Sequence, residues 1–107
     1  MSGERILIVE DEIIIAEHIR EILEQYGYVV TEILTTSQEA VEIEKDQIDL
    51  VLMDVGLGEG LDGVEAGAII QRDFNIPVVF LTGNADPVTL KRANAIEPYG
   101  FVIKPFQ

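Results

Sequence analysis

The chain has 107 residues, with 20 acids against 7 bases, a formal charge of −13 and nearly half its residues apolar. That suits one domain, residues 1–107, with a single core, and is too apolar for a disordered chain. The acidity repels phosphate backbones and argues against direct nucleic-acid binding; the lack of cysteine removes disulfides, thiol catalysis and thiolate metal sites; and with no membrane-length apolar run and no signal peptide, a cytoplasmic chain without membrane partners is expected.

Strand-like and helix-like stretches alternate, the pattern of α/β architecture. Residues 6–9, Ile-Leu-Ile-Val, read as a first buried strand. From Glu12 to about Tyr26 apolar residues recur at Ile15, Ile19, Ile22, Leu23 and Tyr26, a helical period that Gly27 ends. Residues 28–33 can form a second strand, and Thr36 with Glu39 make a capping-box spacing at the head of a second helix through Ala40, Val41 and Ile43. Leu50 to Met53 form a third apolar run, too short for a helix, that ends on Asp54. Asp62 and Glu65 repeat the box before a third helix. Pro77 opens a fourth strand at Val78, and Asp86-Pro87 start a fourth helix that Glu97-Pro98 stop. Phe101, Val102 and Ile103 form the fifth strand.

Five short apolar strands separated by helices imply parallel pairing with right-handed crossovers on both faces, so every strand points its carboxyl end at one rim. Ligand crevices of open parallel sheets lie at that rim. The strands lead there into Glu10-Asp11-Glu12, Asp54, Thr82-Gly83 and Lys104-Pro105. Taken singly, Asp11 reads as a helix cap, Thr82 as a loop hydroxyl and Lys104 as a surface amine. Together they place three carboxylates, a hydroxyl and an amine around one crevice. Two like charges about 4 Å apart repel by on the order of 4 kcal/mol at an effective dielectric near 20. A hard divalent cation answers that repulsion, and Mg²⁺ fits carboxylate, carbonyl and water oxygens.

In Val9-Glu10-Asp11-Glu12, the strand ending at Asp54, Asp62-Gly63, Thr82-Gly83 and Lys104-Pro105-Phe106, in that order over residues 5–106, the chain resembles the response-regulator receiver domain of two-component phosphorelay signalling. The resemblance implies a doubly wound five-stranded parallel sheet of flavodoxin-like order 2-1-3-4-5. It implies Asp54 as phospho-acceptor, taking its phosphoryl group from a phosphohistidine on a sensor histidine kinase or histidine phosphotransfer domain. Glu10, Asp11, Asp54 and the Gly56 carbonyl would hold Mg²⁺. Thr82 would donate to a phosphoryl oxygen, Lys104 would pair with the group, and Phe101 would swing inward as Thr82 moves, or else serve plainly in core packing. Such a chain catalyses its own phosphorylation and dephosphorylation and alters partner binding, through an effector the sequence does not name.

Three departures stand out. The segment from Asp54 to Asp62 has one residue more than usual and no proline. Its glycines, with residues 97–101, look most like receivers of multidomain sensor kinases. The fifth helix that normally comes after Lys-Pro-Phe is missing, so a chain cut short is expected, or a bare sheet face that invites association, homodimers included. Among rival readings, an aspartyl phosphatase would want a second Asp where Gly56 stands, and a flavin carrier would not put acids at a phosphate loop. A receiver-like binding module that is never phosphorylated is the serious alternative. His18, mid-helix and away from the rim, reads as an ordinary surface residue.

Overall fold

The computed structural model describes residues 3–55, 62–83 and 87–103. Five strands, β1 (Arg5–Val9), β2 (Val29–Leu34), β3 (Leu50–Asp54), β4 (Val78–Thr82) and β5 (Gly100–Ile103), form one parallel sheet in the order β2-β1-β3-β4-β5. Four α-helices accompany them among the described residues: α1 (Ile13–Gln25), α2 (Ser37–Ala40), α3 (Gly63–Ile69) and α4 (Pro87–Ala95). None of the described helices is long and apolar enough to cross a membrane. The strand order is the flavodoxin-like one that the resemblance implies.

The uninterrupted apolar runs of β1, β3 and β4 are explained by burial on both sides. Leu7, Val9, Val51, Met53, Val78 and Phe80 face α2, α3 and α4, where Ala40, Val64, Ala66, Ile70 and Ala93 close the larger cluster. Ile6, Ile8, Leu52 and Leu81 face the opposite way, toward Ala16 and Ile19 of α1. On that second face α1 is the one described helix in the cluster, and Leu50, Val79 and Val102 stay only partly buried.

The helix ends follow local chemistry. α1 closes with Gly27 at φ 92°, its N–H on the Glu24 carbonyl, while the Tyr28 N–H reaches back to the Leu23 carbonyl. That paired return is the motif glycine makes cheap at a helix end. At α3 the full capping box forms: Asp62 Oδ1 accepts from the Glu65 N–H at 2.8 Å and the Glu65 side chain accepts from the Asp62 N–H. At α2 the Thr36 hydroxyl accepts from the Glu39 N–H at 3.3 Å, yet the helix lasts one turn. The helix is shorter than expected: Val41 already leaves helical geometry at its C-cap, with φ −83° and ψ 1°. The chain turns after Ala40 instead, and Val41 and Ile43 both still reach the core. α3 ends by widening into a π-helical turn, Ile70–Phe74, closed by Asn75 in the left-handed region (φ 57°). Glu97, also left-handed (φ 53°), turns the chain after α4. The expected Asp86 cap lies outside the described residues.

Away from the rim, Arg5 and Asp49 join the starts of β1 and β3 by a two-pronged ion pair, Nε–Oδ2 3.1 Å and Nη2–Oδ1 3.2 Å. The Arg5 guanidinium bonds, helped by its backbone N–H, hold the Asp49 carboxyl below the usual carboxylate range. Both side chains are about 40% exposed, so solvent screens the pair and its weight in stability is small.

Gly63 fixes how α3 meets the sheet. A Cβ there would run into the Asp54 carbonyl oxygen, with the Asp54 carbonyl carbon and Val55 Cα at 3.0 and 3.1 Å. Gly63→Ala should lower stability by on the order of 2–3 kcal/mol in urea denaturation, an overpacking cost against rigid backbone. Gly100→Ala, whose Cβ would meet nothing within 4 Å, should stay within about 0.5 kcal/mol of the parent. Equal effects of the two substitutions would contradict this packing.

Candidate functional site

Strand register brings the rim together. Val9 is level with Met53 on β1 and β3, and Asp54 is level with Leu81 on β3 and β4. Glu10 therefore leaves β1 beside Asp54, and Thr82 ends β4 one residue beyond Asp54's neighbour. Adjacent strands stand roughly 4.8 Å apart, so these residues rise from three contiguous backbones. The Glu10 N–H bonds the Leu34 carbonyl (2.9 Å) and the Val55 N–H bonds the Leu81 carbonyl (3.1 Å), extending the ladder past the strands' last paired residues.

Glu10, Asp54 and Thr82 are three of the four polar or charged residues buried among the described residues, at 0%, 5% and 6% exposure. Burial of two carboxylates at one strand end is costly unless something compensates their charge. Glu10 Oε2 accepts from the Glu12 N–H at 3.1 Å, which turns the chain into α1. Carboxylate oxygens of Glu10, Asp11 and Glu12 all lie within 4.8 Å of one another. Asp54 is not one of that trio; it stands beside it on the next strand.

Two points differ from the simplest expectation. The residue at the α1 cap position is Glu12, not Asp11, and its side chain makes no capping bond. Asp11 is thus left exposed next to buried Glu10 rather than spent on a helix end. Glu12 joins the acidic cluster although only Glu10 and Asp11 were expected there. The signal for it was the unbroken run of three acids after β1.

Thr82 also borders a cavity of about 510 Å³ between β4, β5 and α4, lined by Thr82, Gly83, Leu90, Lys91, Asn94 and Phe101. Phe101 is level with Phe80 in the sheet, its ring 6.0 Å from that of Phe80 and tilted by 36°, and it remains 40% exposed. Phe101 is therefore a rim residue of the cavity that Thr82 shares. Lys104 and Gly56 lie outside the described residues.

Comparison with known proteins gives the same direction. The family profile of the response regulator receiver domain matches residues 6–107. The chain belongs to the response-regulator receiver domain family. It is 36% identical over 104 residues to the phyllosphere-induced regulator PhyR of Methylorubrum extorquens, covering 95% of this chain and 38% of PhyR. It is 34% identical to the CAI-1 autoinducer sensor kinase/phosphatase CqsS of Vibrio cholerae, covering 94% of this chain and 15% of CqsS. The receiver domain thus spans less than half the length of these curated relatives. Among solved structures it is similar to the signal receiver domain of a modulated diguanylate cyclase from Desulfovibrio desulfuricans G20, with a TM-score of 0.92, 36% identity, and coverage of 99% and 85% of the two chains. It is also similar to the receiver domain of the sensor histidine kinase PA1611 from Pseudomonas aeruginosa, with a TM-score of 0.83, 30% identity, and coverage of 99% and 88%. That structure is described with a magnesium ion coordinated in its active-site cleft.

The crowding of like charges at this receiver's rim has a direct consequence. Asp11→Asn removes one charge from the cluster while leaving the buried Glu10 bond intact. In the presence of a chelator it should raise stability by about 1 kcal/mol, the Coulomb repulsion of a close exposed pair. Urea denaturation with excess EDTA measures this, and an unchanged or lowered midpoint would contradict the mutual repulsion.

Proposed function

We propose that this receiver domain is a phospho-accepting switch, with Asp54 taking a phosphoryl group from the phosphohistidine of a sensor histidine kinase or histidine phosphotransfer domain. The observation that carries the reading is the convergence at one rim of buried Asp54, buried Glu10 beside it, the Glu10, Asp11 and Glu12 carboxylates within 4.8 Å, and buried Thr82 on the next strand. In the transfer an Asp54 oxygen forms a bond to phosphorus as the phosphorus–nitrogen bond to the donor imidazole breaks. The imidazole leaves with the bonding pair and is neutralised by a proton from solvent. Hydrolysis of the acyl phosphate returns Asp54 and free phosphate.

The donor set fits Mg²⁺: hard carboxylate oxygens, one of them from a fully buried residue, in a cluster that among the described residues contains no cysteine or histidine. Glu10, Asp11 and Asp54 would hold the ion together with the Gly56 carbonyl, and Glu12 stands within reach of the same cluster. Bound there, Mg²⁺ supplies positive charge against the acids and the incoming phosphoryl oxygens. Phosphoryl transfer is mostly positioning and neutralisation of spreading negative charge. Thr82 supplies a hydroxyl donor from the end of β4, and the Lys104 ammonium pairs with the transferred group. Movement of Thr82 onto that group changes the cavity it shares with Phe101, which is the route from the phosphorylated site to the surface between α4 and β5. The effector that reads that surface is set by whatever output this receiver serves.

Acetyl phosphate with Mg²⁺, followed by intact-mass measurement, tests the reading. The expected result is a single phosphoryl adduct, absent in Asp54→Asn and lost with EDTA, and slowed on the order of tenfold or more in Thr82→Ala. Well-folded protein that gains no adduct would instead favour a binding module that is never phosphorylated. An adduct persisting in Asp54→Asn would move the acceptor elsewhere.

A further inference from the structure

α4 is lightly held. Ala93 is its one buried residue, while Val88 and Leu90 are exposed. Space surrounds it: the 510 Å³ cavity toward β5, one of about 320 Å³ toward α3 bordered by Ala68, Gln71, Arg72 and Ile96, and one of about 490 Å³ at its C-terminal end bordered by Gln71, Asn75, Glu97 and Tyr99 among others. Among the described residues, polar ties join it to the N-cap of α3 and to the turn that follows α3. At one end Arg92 Nη2 meets Asp62 Oδ2 at 3.0 Å, an exposed pair that solvent weakens. At the other end Gln71, in the widened turn after α3, makes two bonds at once. Its Nε2 donates to the carbonyl of Ile96, just past α4, at 3.0 Å, and its Oε1 accepts from the N–H of Val78, the first residue of β4, at 3.3 Å.

We infer that the Gln71 carboxamide is a clasp that fixes the C-terminal end of α4 to α3 and β4 and so sets the resting width of the cavity shared by Thr82 and Phe101. The side chain borders two of the three cavities, so its hydrogen bonds stand where packing is sparse. The Val78 backbone is fully buried and its N–H has Gln71 as partner, which makes the amide costly to remove. Gln71 lies in the single π-helical turn that ends α3, and such turns are rare and found frequently at functional sites. Gln71 is a positioning residue, remote from the rim. Its effect on switching rests on the phospho-acceptor reading: a bond made only in the resting arrangement opposes the rearranged one, so releasing it favours ligands of the latter.

Gln71→Glu separates the two bonds, because the carboxylate can still accept from the Val78 N–H but repels the Ile96 carbonyl. In the unphosphorylated full chain, amide hydrogen exchange in α4 and at residues 96–97 should accelerate roughly three- to tenfold, the worth of one hydrogen bond, with β1 and β3 unchanged. Gln71→Met, which keeps the volume and loses both bonds, should add faster exchange at Val78. Unchanged α4 exchange, or the same acceleration throughout the chain, would overturn the clasp. Beryllium trifluoride with Mg²⁺, a phosphoryl mimic, should then bind Gln71→Glu several-fold tighter than the parent. Equal or weaker binding would overturn the effect on switching. A parent chain that binds no mimic at all would count against the phospho-acceptor reading, while hydrogen exchange would still decide the clasp.

Discussion

Parallel register is the constraint on which the rest depends. In a parallel sheet all carboxyl ends fall on one rim, and the pairing of Val9 with Met53 and of Asp54 with Leu81 decides which side chains meet there. Slipping β3 by one residue would turn Asp54 toward the helices α2–α4 and into the apolar cluster they close. Burying a carboxylate there without a partner is costly, which opposes that slip. The polar end of the run therefore does more than stop a strand: it fixes the register that aims the carboxylate at residue 54.

The rim is chemically expensive to maintain. Glu10 and Asp54 are buried carboxylates beside two further acids in a chain of charge −13. Folding tolerates the repulsion because the surrounding sheet is deeply packed and because Gly63 lets α3 start directly against the Asp54 backbone. The Asp62–Glu65 box then holds α3 in that position, and Arg92 of α4 reaches the same Asp62. Asp62, Gly63 and Asp54 thus form one structural unit, although Asp54 lies eight residues before Asp62 in sequence. Rules of folding broken at one place and compensated elsewhere are what a functional site leads one to look for.

Much of this was legible from residue order. Apolar runs bounded by Gly, Pro and caps located all five strands, and strand ends located Glu10, Asp11, Asp54 and Thr82, because period and terminal residues are local signals. The single turn of α2 was less legible: a box at Thr36 and Glu39 starts a helix but says nothing about how far it runs. Glu12 was visible at the rim but not as a member of the cluster, because a helix-starting acid looks the same whether it faces solvent or a cluster. The π-helical turn and the Gln71 bonds were invisible, since they join residues 7 and 25 positions apart across elements whose placement only packing decides. Phe101 sits between these cases: its strand was readable, its half-exposed place at the cavity rim was not.

If Glu10, Asp11, Asp54 and Thr82 surround one cation-binding point, a paramagnetic ion placed there must be felt by all four. Mn²⁺ prefers the same hard oxygen donors as Mg²⁺ and broadens nearby amide resonances. Titrating the folded chain with substoichiometric Mn²⁺ should broaden the amides of residues 10–12, Asp54, Val55 and Thr82 first, and added Mg²⁺ should restore them. Broadening confined to other acids, such as Glu42 and Glu44, with Asp54 and Thr82 untouched, would contradict a shared site.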